Sequence, residues 1–86
     1  MTIDVTNNAT QEIEVAINKW GSEGQTGFYS IKQGKSESWD RSDDRGFVMV
    51  VKKAASQAPY YVQHNSTIIV SDDKIANNGS TIKPIS

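Results

Sequence analysis

Glu12-Ile13-Glu14-Val15-Ala16-Ile17-Asn18-Lys19-Trp20 alternates with a period of two: Ile13, Val15 and Ile17 fall on one face, and Glu12, Glu14, Ala16, Asn18 and Trp20 on the other. That period is a strand's and not a helix's. Trp20 lies opposite the apolar trio, where it either closes the open end of a sheet or stands displayed as a platform. On the N-terminal side, Ile3 and Val5 alternate with polar residues over 2–6, and Asn7-Asn8 supplies turn residues, so a first strand and a hairpin bend are expected. On the C-terminal side, residues 21–27 carry three glycines among polar residues and read as a loop. No Gly-Lys-Ser/Thr ends that loop, so it is not a phosphate cradle.

Strand signals continue along the chain. Residues 28–31 form a short strand closed by the turn Lys32-Gln33-Gly34-Lys35. Residues 36–41 form another, with Trp39 on the face of Glu37 and Arg41 and with Ser36, Ser38 and Asp40 opposite. Phe47-Val48-Met49-Val50-Val51-Lys52-Lys53 is apolar without a break until its lysines, the pattern of a central strand covered on both faces. A loop over 54–59, a strand at Tyr60-Tyr61-Val62, a turn at His64-Asn65-Ser66 and a β-branched strand over 67–70 follow. Ser71-Asp72-Asp73 turns the chain, and residues 81–84 end it as an edge strand, because Pro84 cannot join a central ladder. About eight short strands with turns every 8 to 12 residues predict an all-β fold, a small antiparallel β-sandwich, in a single domain over 1–86.

Length and charge narrow the function. A chain of 86 residues buries about 60 to 65% of its unfolded surface, enough for one modest core and no deep active site. A formal net charge of -1 removes the pull that non-specific nucleic-acid binding requires, so no nucleic-acid partner is expected. Without cysteine there is no disulfide, thiolate nucleophile or thiolate metal site, and a small unstapled domain gains stability by pairing with a second copy. No apolar run approaches the about 20 residues of a membrane-spanning helix. Met1-Thr2-Ile3-Asp4 alternates like a strand, not like a charged and then apolar leader, which points to a cytoplasmic protein or one released without a signal peptide. Glycosylation patterns begin at Asn8, Asn65 and Asn78, each where turn chemistry already explains the asparagine.

The densest charge lies in Trp39-Asp40-Arg41-Ser42-Asp43-Asp44-Arg45-Gly46-Phe47, where two aromatics bracket three carboxylates and two guanidiniums. Unpaired, such groups are too costly to bury, so the segment reads as a surface loop between two strands. Catalysis finds little support: the single histidine, His64, sits in a turn with no nucleophile motif beside it, and neighbouring Asp43 and Asp44 have no apolar setting. No metal and no cofactor are predicted. Binding fits better. Planar Asp, Asn and Arg groups can fix sugar hydroxyls while an aromatic covers the apolar face of the ring. The candidate ligand-binding set is therefore Trp20, Asp40, Arg41, Asp43, Asp44, Arg45, Tyr60, His64 and Asn65, brought together by loops at one end of the sandwich.

Val5-Thr6-Asn7-Asn8, Ile13 to Gly21 and Ile31 to Arg41 resemble small cysteine-poor mushroom lectins of the galactose-binding kind and, more distantly, the actinoporin-like and aegerolysin β-sandwiches. The resemblance implies a β-sandwich that binds α-galactosyl and related glycans on glycoproteins or glycolipids, without catalysis, as a homodimer that agglutinates cells. A membrane-lipid-binding, cytolysin-like protein is the alternative, although the chain shows no N-terminal amphipathic helix to insert. A small hydrolase ranks third.

Overall fold

The computed structural model describes residues 2–20, 26–54 and 56–85. Nine strands are formed among them: β1 Thr2–Asn7, β2 Ile13–Ile17, β3 Tyr29–Ile31, β4 Ser36–Asp40, β5 Phe47–Lys53, β6 Ser56–Val62, β7 Ser66–Val70, β8 Ile75–Asn77 and β9 Ser80–Ile82. They build a five-stranded sheet in the order β4-β1-β7-β8-β9 and a four-stranded sheet in the order β3-β2-β5-β6. The fold is a small all-β sandwich, as its alternation predicts.

The core is where the apolar faces of the two sheets meet. Ile3 and Val5 of β1, Trp39 of β4, Ile68 and Val70 of β7 and Ile75 of β8 pack against Ile13, Val15 and Ile17 of β2, Phe47, Met49 and Val51 of β5 and Tyr60 and Val62 of β6. Burying each such aliphatic or Phe side chain is worth about 1.5–3 kcal/mol. Trp39 meets the ring of Tyr29 edge to face, with centroids 6.3 Å apart.

Several expectations are corrected. β1 does not bend into a hairpin with β2. It pairs with β4 antiparallel and with β7 in parallel, while β2 lies in the other sheet. The sandwich is thus antiparallel except at this pair. The crossover is held by Asn7, fully buried, whose amide nitrogen donates to the carbonyls of Gln11 and Ile31 and whose side-chain oxygen accepts from the Ala9 backbone N–H. β5 is interior within its sheet, between β2 and β6, but only one face is covered: Phe47, Met49 and Val51 are buried, Val48 and Lys52 are exposed. β6 starts at Ser56, four residues before the expected Tyr60, because Pro59 is accommodated on a strand that, among the described residues, lies at the sheet edge and pairs with β5. The extra strand, β8, is joined to β9 by Asn78-Gly79, both at positive φ (50° and 90°), the combination a tight hairpin turn demands. Pro84 lies beyond β9. Most of the glycine-rich segment, residues 21–25, lies outside the described residues.

Candidate functional site

Loop 41–46 carries the chain from β4 in one sheet to β5 in the other. Its charges are arranged unlike a row of open binding groups. Arg41 continues the alternation of β4 inward and is 1% exposed. Its Nε donates to the Asn18 carbonyl at 2.9 Å, Nη2 to the Ile17 carbonyl at 3.0 Å and Nη1 to the Asp40 carbonyl at 3.1 Å. A guanidinium occupied in this way staples the end of β2 to the end of β4 and is not displayed to a ligand, which corrects its place in the candidate set.

Asp43 and Arg45 turn towards each other. Arg45 donates from Nε at 2.9 Å and from Nη2 at 2.7 Å to the two carboxylate oxygens, and its backbone N–H reaches Asp43 Oδ1 at 2.9 Å. The guanidinium also lies 3.7 Å over the ring of Trp20, whose Nε1 donates to the Gly46 carbonyl at 2.8 Å. Trp20 therefore closes the end of the sheet, and Arg45 covers its ring. These bonds from Arg45, side chain first and then backbone, lower the Asp43 pKa from its ordinary 3.8 to about 2 and raise that of Arg45. A carboxyl depressed on folding stabilises the fold above its unfolded value, and that contribution disappears as pH falls from about 4 through 2. In a carbon-detected NMR titration the Asp43 carboxyl should have its midpoint near 2 and move up towards 3.8 in Arg45→Ala. A wild-type midpoint near 3.8 would contradict the fork.

The remaining candidates divide. Tyr60 points into the core, where burial raises its hydroxyl pKa, and it offers no face to a ligand. The exposed aromatic is Tyr61, which donates from its hydroxyl to the Arg45 carbonyl at 3.1 Å. Register explains the exchange: Tyr60 lies opposite buried Met49, Tyr61 opposite exposed Val48. Asp40 is exposed at the end of β4. Asn65 is exposed at φ 66°, and its backbone N–H donates to the Thr2 carbonyl. His64 Nε2 lies 2.8 Å from Oδ1 of Asp44, so loop 41–46, Trp20 and the turn after β6 do come together at one end of the sandwich.

Beside that end is a cavity of about 250 Å³ lined by Tyr61, Val62, Gln63, His64, Ser66, Asn77 and Asn78. It sits where the chain crosses from β6 in one sheet to β7 in the other, against β8. Sequence reasoning missed Ser66, Asn77 and Asn78. Ser66 could have been found: it shares the inward face of β7 with Ile68 and Val70, and a serine on an apolar face needs a partner. That partner is the Gln63 carbonyl, to which its hydroxyl donates, so Ser66 is not paired with His64 as a nucleophile would be. Asn78 is committed to the backbone of Thr67, accepting from its N–H at 3.0 Å and donating its own N–H to its carbonyl at 2.8 Å. Nδ1 of His64 and Oδ1 of Asn77 are buried and have no partner among the described residues. No group of three or more His, Asp or Glu is placed to hold a metal ion among those residues. No helix among them is long and apolar enough to cross a membrane.

No family model, curated protein or solved structure matches this chain.

Proposed function

We propose that the chain is a carbohydrate-binding lectin whose site is the cavity between the β6–β7 turn and β8, taking galactose-type glycans without catalysis. The observation that carries this reading is the composition of the cavity wall: the polar side chains of Gln63, His64 and Asn77 beside the exposed ring of Tyr61. Hydroxyl-rich rings are bound by such planar amides and hydroxyls, with an aromatic against their C–H face. At about 250 Å³ the space is smaller than the ~300–1,000 Å³ of drug-sized sites, which suits one sugar ring and not a long chain. The galactose-type preference rests on the resemblance of Val5 to Asn8, Ile13 to Gly21 and Ile31 to Arg41 to the mushroom lectins, not on the cavity. Agglutination requires at least two sites, so the reading includes a homodimer.

In this reading the Asp43, Arg45 and Trp20 cluster supports the site from outside and does not touch the sugar. A glycan array followed by calorimetric titration tests it. Tyr61→Ala and Asn77→Ala should lose about tenfold to a hundredfold in affinity for the best glycan, whereas folded Asp43→Ala should bind nearly as wild type. Absence of any glycan preference, above all with leakage from protein-treated liposomes, would overturn the proposal in favour of a lipid-binding protein.

A further inference from the structure

We propose that the outer face of the β3-β2-β5-β6 sheet is the surface on which a second copy of the chain docks, with the two-fold axis running along the strands between β2 and β5. The inference names the interface of the homodimer in the proposed function; it rests on that reading for the existence of the dimer and on nothing in the cavity.

The two outer faces of the sandwich differ. On the five-stranded sheet the outward residues of β1 and β4 are hydroxyls and carboxylates that satisfy one another: Thr2 and Ser38 donate to Asp4 Oδ1 at 3.0 and 2.6 Å, and Thr6 and Ser36 share a bond of 2.7 Å. Ile69 is the one large exposed apolar side chain on that face among the described residues. On the four-stranded sheet the register lines up apolar rows instead. Ala16 of β2, Val50 of β5 and Pro59 of β6 are neighbours across the sheet and half-buried. Phe28, 47% exposed, precedes β3 beside Ala16, by extension of the register that sets Val15 against Tyr29. The next row holds Val48 and Tyr61, both exposed. Contiguous apolar side chains of this kind on one face of a small domain mark an interaction surface.

Charge decides what covers it. On the other side of the Ala16 row lies Ser30-Glu14-Lys52-Gln57, in which a carboxylate and an ammonium stand opposite each other. Among the described residues no ion pair joins them; Lys52 leans to Phe28, its Nζ 5.7 Å from the ring centroid. A hollow of about 140 Å³ remains between Glu12, Glu14, Ser30, Lys52 and Ala54. Two copies stacked face to face about an axis parallel to the strands set each row against its own reverse. Glu14 then faces Lys52 of the second copy, twice over, while Ala16 faces Val50 and Phe28 faces Pro59. An axis across the strands would bury Lys52 against Val48, so the charges select the first arrangement. A lipid surface would take the apolar rows but has no complement for the charged one. Roughly 800 Å² per partner, the size of a stable interface, is about a sixth of the 5057 Å² surface, and one broad face of a body 34 × 23 × 23 Å supplies it. The second copy's β3 begins at Tyr29, short of the row of Tyr61, so that ring stays at the rim and the cavity beside it stays open.

Sedimentation equilibrium tests it. The wild type should be a dimer at micromolar concentration, and Val50→Lys should weaken that dimer about a hundredfold while its thermal melt stays cooperative. Phe28→Ser lies outside the strands and repeats the test if Val50→Lys does not fold. Glu14→Lys and Lys52→Glu, each alone, should weaken the dimer about tenfold or more, because like charges then meet twice. Mixed in equal amounts, these two variants should pair with each other at wild-type strength, since both contacts then join opposite charges. No rescue on mixing overturns the two-fold placement and the inference with it. A wild type that stays monomeric overturns the interface and the homodimer together, and if that monomer binds phosphatidylcholine vesicles and Val50→Lys does not, the face takes lipid and not a second copy. A wild-type dimer that survives both Val50→Lys and Phe28→Ser overturns the interface alone. A dimer that these variants disrupt but that binds no glycan leaves the interface standing and overturns the cavity reading.

Discussion

Arg41→Ala should cost about 3–5 kcal/mol of folding free energy, enough to bring a small domain close to unfolding at room temperature. The Arg41 side chain is among the largest fully buried ones, and its removal leaves a void together with the carbonyls of Ile17, Asn18 and Asp40 stripped of their donors. Arg41→Lys separates charge from geometry. An ammonium keeps the charge but lacks the planar fork that reaches three carbonyls at once, so it should still cost about 2 kcal/mol. Urea denaturation of the three proteins measures both. A loss below about 1 kcal/mol in Arg41→Ala would mean that the buried fork contributes no more than an exposed charge.

Gly46→Ala should be the second large effect, about 2–3 kcal/mol, with two separable causes. Gly46 has φ 87°, which a residue with a Cβ rarely adopts, and a Cβ placed there would lie 2.2 Å from the Tyr61 hydroxyl. Tyr61 is exposed and its ring can swing clear, but in doing so it gives up its hydrogen bond to the Arg45 carbonyl and leaves the cavity wall. In a Tyr61→Ala background only the backbone strain, about 1–2 kcal/mol, should remain. Paired thermal melts check this, and an identical cost in both backgrounds would show that the contact with Tyr61 is unimportant. The single variant should also lose the cavity's ligand while folded, since the wall moves with the ring.

How much of this the chain announces depends on the range of the interaction. Alternation places β1 and β2, an unbroken apolar run marks β5 and β-branched residues mark β7, while the strand period over 36–41 even puts Trp39 and Arg41 on one face. Arg41 still reads as a surface group, because a buried guanidinium needs partners, and the Asn18 carbonyl that serves lies 23 residues earlier in the chain. The same holds for β1: nothing local shows that it runs parallel to β7, more than sixty positions on, as Ile3 opposite Ser66 records. β8 spans three residues, too few for a period to declare itself. At the site, the convergence of Trp20, loop 41–46 and the His64 turn follows from strand order in a sandwich. Their self-pairing does not, because which charges neutralise each other depends on side-chain geometry that composition cannot supply. Of two adjacent tyrosines, only the register against β5 decides which one is core.

The central claim, that ligand is taken by the cavity beside Tyr61 and His64 and not by the charged loop, is tested most directly by amide chemical-shift mapping with galactose. The account predicts shifts concentrated at Tyr61 to Ser66 and at Asn77 and Asn78, with Asp43 and Arg45 nearly still. Shifts centred on Asp40 to Arg45 and Trp20, or no shifts at saturating sugar, would contradict it.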